Sequence, residues 1–153
     1  MDDGLLHDLL RIWPVGRLAT ADAAHQPHLV PIVFCLDDAA LYSPIDGKKK
    51  RGQKLKRLQN IAANDAFSLL LDEYDDDWQR LWWVRLDGVA GVYRPVGDHD
   101  ARLHRLLSAK YPQYRDVSIT QDDPVYLRLC WNKVSAWSET DLATNVRRAL
   151  RNR

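Results

Sequence analysis

Between residues 15 and 45, three strand-like runs follow one another with no room for a helix between any two of them. Residues 15–20 (VGRLAT), 27–36 (PHLVPIVFCL) and 40–45 are separated only by a polar stretch at 21–26 and by Asp37-Asp38. Parallel neighbours need a crossover of a dozen residues or more, whereas antiparallel strands join through a tight turn, so the succession predicts an antiparallel meander. The same pattern returns downstream. Residues 66–73 (AFSLLLDE) precede a long strand pattern at 80–93 (RLWWVRLDGVAGVY), interrupted at Gly88 and Gly91, where a bulge or sharp bend is expected. A last strand region spans 125–137. A doubly wound parallel sheet is excluded, and the expected class is mainly β with peripheral helices, an antiparallel barrel.

The helices are fewer. Residues 3–13 place Leu5, Leu6, Leu9 and Leu10 on one side and stop before Pro14, which forces its predecessor out of the helical region. Residues 54–64 carry Leu55, Leu58, Ile61 and Ala62 at helical spacing, with Lys54, Lys56, Arg57 and Asn60 on other faces. A third helix, 98–111, has the stripe Leu103, Leu106, Leu107 and Tyr111, and a basic helical tail begins near Asp141. With 153 residues, 46% of them hydrophobic, the chain reads as a single domain, 1–153, with its core at about 9–138 and the tail at 141–153. No apolar run approaches the ~20 residues of a membrane span, and the acidic opening MDDGLLHDLL lacks a basic leader region. Cys35 and Cys130 sit in apolar runs without metal-type spacing. Reduced core thiols, a cytoplasmic setting and no membrane partner are the expectations.

Self-contained catalytic patterns are missing. The five histidines have no metal-ligand spacing, and there is no nucleophile elbow. The stretch from Gly47 to Lys54 departs from a nucleotide phosphate loop, because no Lys follows the second glycine directly. Any enzyme here borrows its chemistry from a cofactor. The formal net charge of +1 conceals a division of the chain. Seven of its 22 basic residues (Lys48, Lys49, Lys50, Arg51, Lys54, Lys56 and Arg57) lie in ten positions, leaving the rest net acidic. Five acids, Asp72, Glu73, Asp75, Asp76 and Asp77, fall in one short stretch. A basic run entering a helix after a strand suits an anion, since free N–H groups and the helix dipole favour phosphate there. A solvated cationic surface and a nucleic-acid surface are the alternatives. The acidic remainder and the distant aromatic residues argue against the nucleic-acid module.

Several stretches carry a family resemblance: RLAT at 17–20, PHLVPIV at 27–33, ALYS at 40–43, and KRLQNI at 56–61 with Asn64 closing the helix. Together they resemble the pyridoxamine 5'-phosphate oxidase-like split-barrel flavoproteins. DEYDDDW at 72–78 followed by RLWWVR at 80–85 is similar to one subgroup, the deazaflavin (coenzyme F-420)-dependent enzymes. The resemblance implies a six-stranded antiparallel split β-barrel that forms a homodimer with two cofactor sites at the interface. It implies an oxidoreductase that uses FMN or F-420 to pass a hydride to or from a small-molecule substrate; an FMN-binding protein without turnover is the alternative. Arg57 matches the position that holds the cofactor phosphate, with Lys54 and Lys56 as helpers, and Lys48 and Lys50 match basic positions of the subgroup. Val30, Pro31, Ile32 and Val33 correspond to the strand whose backbone lies along the ring system. Trp83 stands where oxidase relatives often carry a Gln touching the flavin, and a tryptophan there walls in the ring. The residues that bind pyridoxamine phosphate in true oxidases are not recognisable, so vitamin B6 oxidation is not expected. Alternation along a strand puts Trp82 and Trp83 on opposite faces, and Trp83 is the one assigned to the cleft.

Overall fold

The computed structural model describes residues 1–45, 55–115 and 124–153. Seven strands make one antiparallel sheet: β1 (Gly16–Ala21), β2 (Pro27–Ile32), β3 (Cys35–Asp37), β4 (Ala40–Pro44), β5 (Ala66–Glu73), β6 (Trp82–Tyr93) and β7 (Tyr126–Ser138). Their order across the sheet is β2-β1-β5-β6-β7-β4-β3. Around it lie α1 (Asp3–Ile12), α2 (Lys56–Ala63), α3 (His99–Lys110) and α4 (Leu142–Arg151). The fold is an antiparallel split β-barrel with peripheral helices.

The strand count is seven among the described residues, against the six expected, because 27–36 is two strands. A continuous apolar run has no periodicity that would mark a break inside it. The chain leaves β2 after Ile32 and re-enters as β3 at the other end of the sheet, so the expected three-strand meander does not form. Instead β1–β2 and β3–β4 are separate antiparallel pairs. Phe34, at the crossing, is fully buried, and its N–H donates to the Tyr111 hydroxyl at 3.0 Å. That hydroxyl in turn lies 2.9 Å from the Pro14 carbonyl and 3.0 Å from the Phe34 carbonyl, the two acceptors for its one proton.

The barrel interior is built by strand alternation. Leu18, Leu69, Leu71, Val84, Leu86, Leu127 and Leu129 point inward and are fully buried. Helix α1 starts at Asp2, whose carboxylate accepts from the Leu5 N–H at 2.8 Å, and lays Leu5, Leu6, Leu9 and Leu10 on that interior. Trp13 meets Trp82 edge-on, with ring centroids 4.9 Å apart. A smaller apolar cluster joins α3 to β3, β4 and β7 through Cys35, Tyr42, Leu103, Leu107, Tyr111 and Tyr126. Its border is sealed by a buried carboxylate. Asp37 receives Arg102 Nε at 2.8 Å and His99 Nε2 at 2.9 Å, and the other nitrogen of His99 lies 2.5 Å from the Tyr93 hydroxyl. Burial pushes the Asp37 carboxyl up, but the hydrogen bonds from Arg102 and His99 outweigh it, so the group ends below the ordinary carboxylate range.

The expected irregularity in β6 is present at Gly88 and is shared with β7. Asp87 faces Lys133 while Gly88 faces Trp131, so Asn132 is the extra residue. A Cβ on Gly88 would stand 2.1 Å from the Cys130 carbonyl oxygen and 2.7 Å from Trp131 Cα, whereas one on Gly91 would meet nothing within 4 Å. Gly88→Ala is therefore expected to cost about 3 kcal/mol and Gly91→Ala less than about 0.5 kcal/mol, read as shifts of the urea midpoint. A second expectation concerns acid. Because the folded Asp37 carboxyl is depressed, its contribution is present above the ordinary carboxylate range and is lost as pH falls through its folded value. Asp37→Asn should destabilise by about 1–3 kcal/mol near neutral pH, and its gap to the parent protein should narrow as pH falls below the ordinary carboxylate range.

Candidate functional site

Helix α2 is where the basic segment meets the barrel. Leu55 occupies its N-cap without a side-chain hydrogen bond, so the first-turn N–H groups receive no cap from a side chain. Arg57 lies half-buried in that first turn. One turn on, Asn60 is buried and donates from Nδ2 to the Thr20 hydroxyl of β1 at 3.0 Å, and Thr20 pairs across the ladder with His28 of β2. Asn60 Oδ1 and His28 Nδ1 are buried atoms with no hydrogen-bond partner among the described residues. A polar cluster of Thr20, His28 and Asn60 thus sits one turn from Arg57. Lys56 has a different employment. Its ammonium lies 2.9 Å from Asp22 Oδ2 in the β1–β2 turn. Asp22 also accepts the N–H groups of Ala24 and Gln26, and the Lys56 bond above all holds its carboxyl below the ordinary range. Lys48, Lys50 and Lys54 lie outside the described residues.

Among the described residues strand β2 is an edge paired with β1 alone, so half of its backbone groups face outward. Pro27 and Pro31 are tolerated there because an outward N–H has no ladder bond to lose. Val30 is half-buried, Ile32 is buried, Pro31 is exposed, and Val33 follows the strand. Leu29, on the same face as Pro31, is 64% exposed.

The outer face of β5, β6 and β7 holds a groove of about 400 Å³ lined by Leu70, Asp72, Tyr74, Trp83, Arg85 and Trp137, among others. Trp83 faces Asp72 on one side and Trp137 on the other, so the two indoles are direct cross-strand neighbours. Trp82, on the opposite face, is 1% exposed and belongs mainly to the core, although it also reaches the groove wall. The acids around this groove are largely neutralised. Asp72 pairs with Arg17 of β1. Arg148 of α4 reaches Glu73 at 3.1 Å and Asp75 at 3.2 Å, while Arg80 pairs with Asp77 at 3.0 Å. Glu73 also accepts from Trp82 Nε1 at 3.3 Å. The N–H of Asp77 first, and the arginines after it, hold the Asp75 carboxyl below its ordinary value. The acidic stretch is thus a clamp that fastens the C-terminal helix to the groove.

One chain brings the anticipated residues together only in part. Arg57 and Lys56 share the first turn of α2, which packs on β1 and β6. Strand β2 and Trp83, however, are three inter-strand steps apart, roughly 14 Å along the sheet. Arg85, Trp137, Thr20 and His28 were not foreseen. Trp137 was in principle accessible from the pairing of the last two strands, but its register depends on the bulge at Asn132, which no local pattern announces.

Comparison with known proteins agrees with this fold. The model of the family described as pyridoxamine 5'-phosphate oxidase matches residues 5–138. A 5a,11a-dehydrotetracycline/5a,11a-dehydrooxytetracycline reductase from Streptomyces rimosus is 30% identical over 96 residues, which are 62% of this chain and 66% of that protein, just under two thirds of its length. Among solved structures, a conserved hypothetical protein of Mycobacterium tuberculosis superposes with a TM-score of 0.71 at 19% identity, covering 91% of this chain and 86% of its own. An FAD-binding protein of Mesorhizobium loti gives 0.65 at 22% identity over 89% and 94%. The heme storage protein HutZ of Vibrio cholerae gives 0.65 at 14% identity over 89% and 93%. At these identities the structures speak for the fold alone.

Proposed function

This chain belongs to the pyridoxamine 5'-phosphate oxidase family, and from that membership we propose a flavin- or deazaflavin-dependent oxidoreductase acting on a small unsaturated substrate. The observation that carries the reading is the groove whose wall is the cross-strand pair Trp83 and Trp137. A flat, apolar, half-enclosed wall suits a planar ring system, and the uncapped turn holding Arg57 suits its phosphate. The residues present therefore fit such a cofactor. When bound, it would supply the hydride chemistry that no side chain here can perform. Arg57 would anchor the phosphate, with Lys54, Lys48 and Lys50 adding charge and Lys56 acting indirectly by holding the β1–β2 turn. The strand edge at Val30, Pro31, Ile32 and Val33 would border the ring, and the indoles would exclude water from its face. The reductase name of the Streptomyces relative supports transfer towards the substrate.

The distance between β2 and Trp83 within one chain favours a site completed by a second copy. The exposed apolar residues Leu29 and Trp137 support a homodimer formed through the outer sheet face. Leu29→Asp should then give a monomer by light scattering and lose cofactor affinity, whereas an unchanged dimer would remove this face from the interface.

Purification discriminates the readings. A yellow protein with oxidised-flavin absorbance supports FMN. A colourless one whose tryptophan emission is quenched by added F-420 supports the deazaflavin. Steeply salt-dependent binding to random DNA with neither cofactor bound would overturn both. Substrate turnover by the loaded protein separates an enzyme from a flavin carrier. Arg57→Ala should weaken cofactor binding by about 2 kcal/mol, roughly thirtyfold, and Lys56→Ala by clearly less. Unchanged affinity in Arg57→Ala takes Arg57 out of the site.

A further inference from the structure

Between α1 and α3, over β3, lies a second cavity of about 410 Å³ that the cofactor reading does not use. His7 and Arg11 of α1, Cys35 of β3, and Arg102, Leu106 and Lys110 of α3 line it. Among the described lysines, Lys56 is ion-paired at the surface and Lys133 is exposed, but Lys110 turns its amine inward. Its Nζ stands 3.6 Å over the centre of the Phe34 ring and donates to the Leu10 carbonyl at 2.9 Å. Both partners are neutral. The carboxylates of the cavity are engaged elsewhere, Asp37 by Arg102 and His99, while Asp38 is 92% exposed and lies 3.8 Å from Arg102. The neighbouring Cys35 thiol is pushed up to about 12 by burial, and burial raises the Tyr111 phenol further, so neither supplies an anion at neutral pH. Desolvation holds the Lys110 ammonium down to about 7, with only the Cys35 position opposing it. Burial thus favours the unprotonated, nucleophilic form of this amine.

We propose that this cavity is a second ligand site, for a small aldehyde- or keto-carboxylic acid, in which Lys110 forms a reversible imine and Arg11 receives the carboxylate. The amine adds to the carbonyl carbon, forming the C–N bond and a carbinolamine whose oxygen takes up one amine proton. Loss of the second amine proton with that hydroxyl releases water and leaves the C=N bond. No electrons are exchanged, and hydrolysis reverses the step. Arg11, at the cavity wall, supplies the charged donor that selects the acid over a neutral aldehyde.

The test is to incubate the full chain with glyoxylate and cyanoborohydride, which reduces the imine to a stable N-carboxymethyl group, and to map modified lysines by peptide mass spectrometry. Lys110 should be labelled before Lys133 and Lys56, with a rate midpoint near pH 7, against about 10.4 for a solvated lysine. Lys110→Arg should abolish that adduct while leaving flavin binding unchanged. Arg11→Ala should raise the half-labelling concentration of glyoxylate about tenfold and leave acetaldehyde labelling of Lys110 unaltered. Labelling of the exposed lysines first, with Lys110 unmodified in the folded chain, overturns the site. Equal response of glyoxylate in parent and Arg11→Ala overturns the carboxylate contact. Because the adduct is read residue by residue in the parent protein, the result stands even if a variant fails to fold.

Discussion

Where the chain crosses from one end of the sheet to the other, the backbone of Phe34 is buried outside any strand ladder, and the Tyr111 hydroxyl meets its N–H. A buried amide without a partner would cost about 1–3 kcal/mol, so the crossing is affordable only with that hydroxyl in place. Its position follows from α3, whose leucines pack against β3 and β4 and so set Tyr111 under the crossing. The separation of β2 from β3, the open edge of β2 and the seating of α1 through the Pro14 carbonyl all depend on this joint. Lys110, next to Tyr111, is carried inward by the same helix end.

Much of the architecture was legible because it rests on local signals. Pro14 stops α1, Gly88 marks the bulge, and the four buried leucines of α1 show their periodicity directly. The stretches at 17–20, 27–33, 40–43 and 56–61 pointed to the family, and the family model covers 5–138. What stayed hidden depends on distant partners. The break at 33–34 has no signature in a run of apolar residues, because its cause, Tyr111, lies 77 positions away. The employment of Lys56 by Asp22 and of the acidic stretch by Arg148 are contacts across 34 and 73 positions or more, which charge patterning in one window cannot register. At the candidate site, pleat alternation assigned Trp83 correctly to the face opposite Trp82, but the meeting of Trp83 with Trp137 needed the register across the bulge.

The division of charge that conceals itself in a net of +1 has separate physical outcomes at its two ends. Four of the five acids are ion-paired with Arg17, Arg80 and Arg148, so the groove beside them is an aromatic surface with a partly neutralised acidic rim. The same clamp ties groove shape to α4, so the last helix is mechanically part of the groove wall although it contributes no residue to the lining.

The prolines of β2 have a consequence for what can lie along that edge. Pro27 and Pro31 stand four positions apart on an extended strand, so the N–H groups they lack would have pointed the same way, outward from β1. Of the alternate positions 27, 29 and 31, only Leu29 keeps a donor. An incoming strand would find its carbonyls unanswered at two of three successive sites, and continuous β-polymerisation from this edge is blocked. The edge is selective by chemistry. It refuses another backbone while still offering carbonyl acceptors and one N–H to a compact partner that brings its own donors.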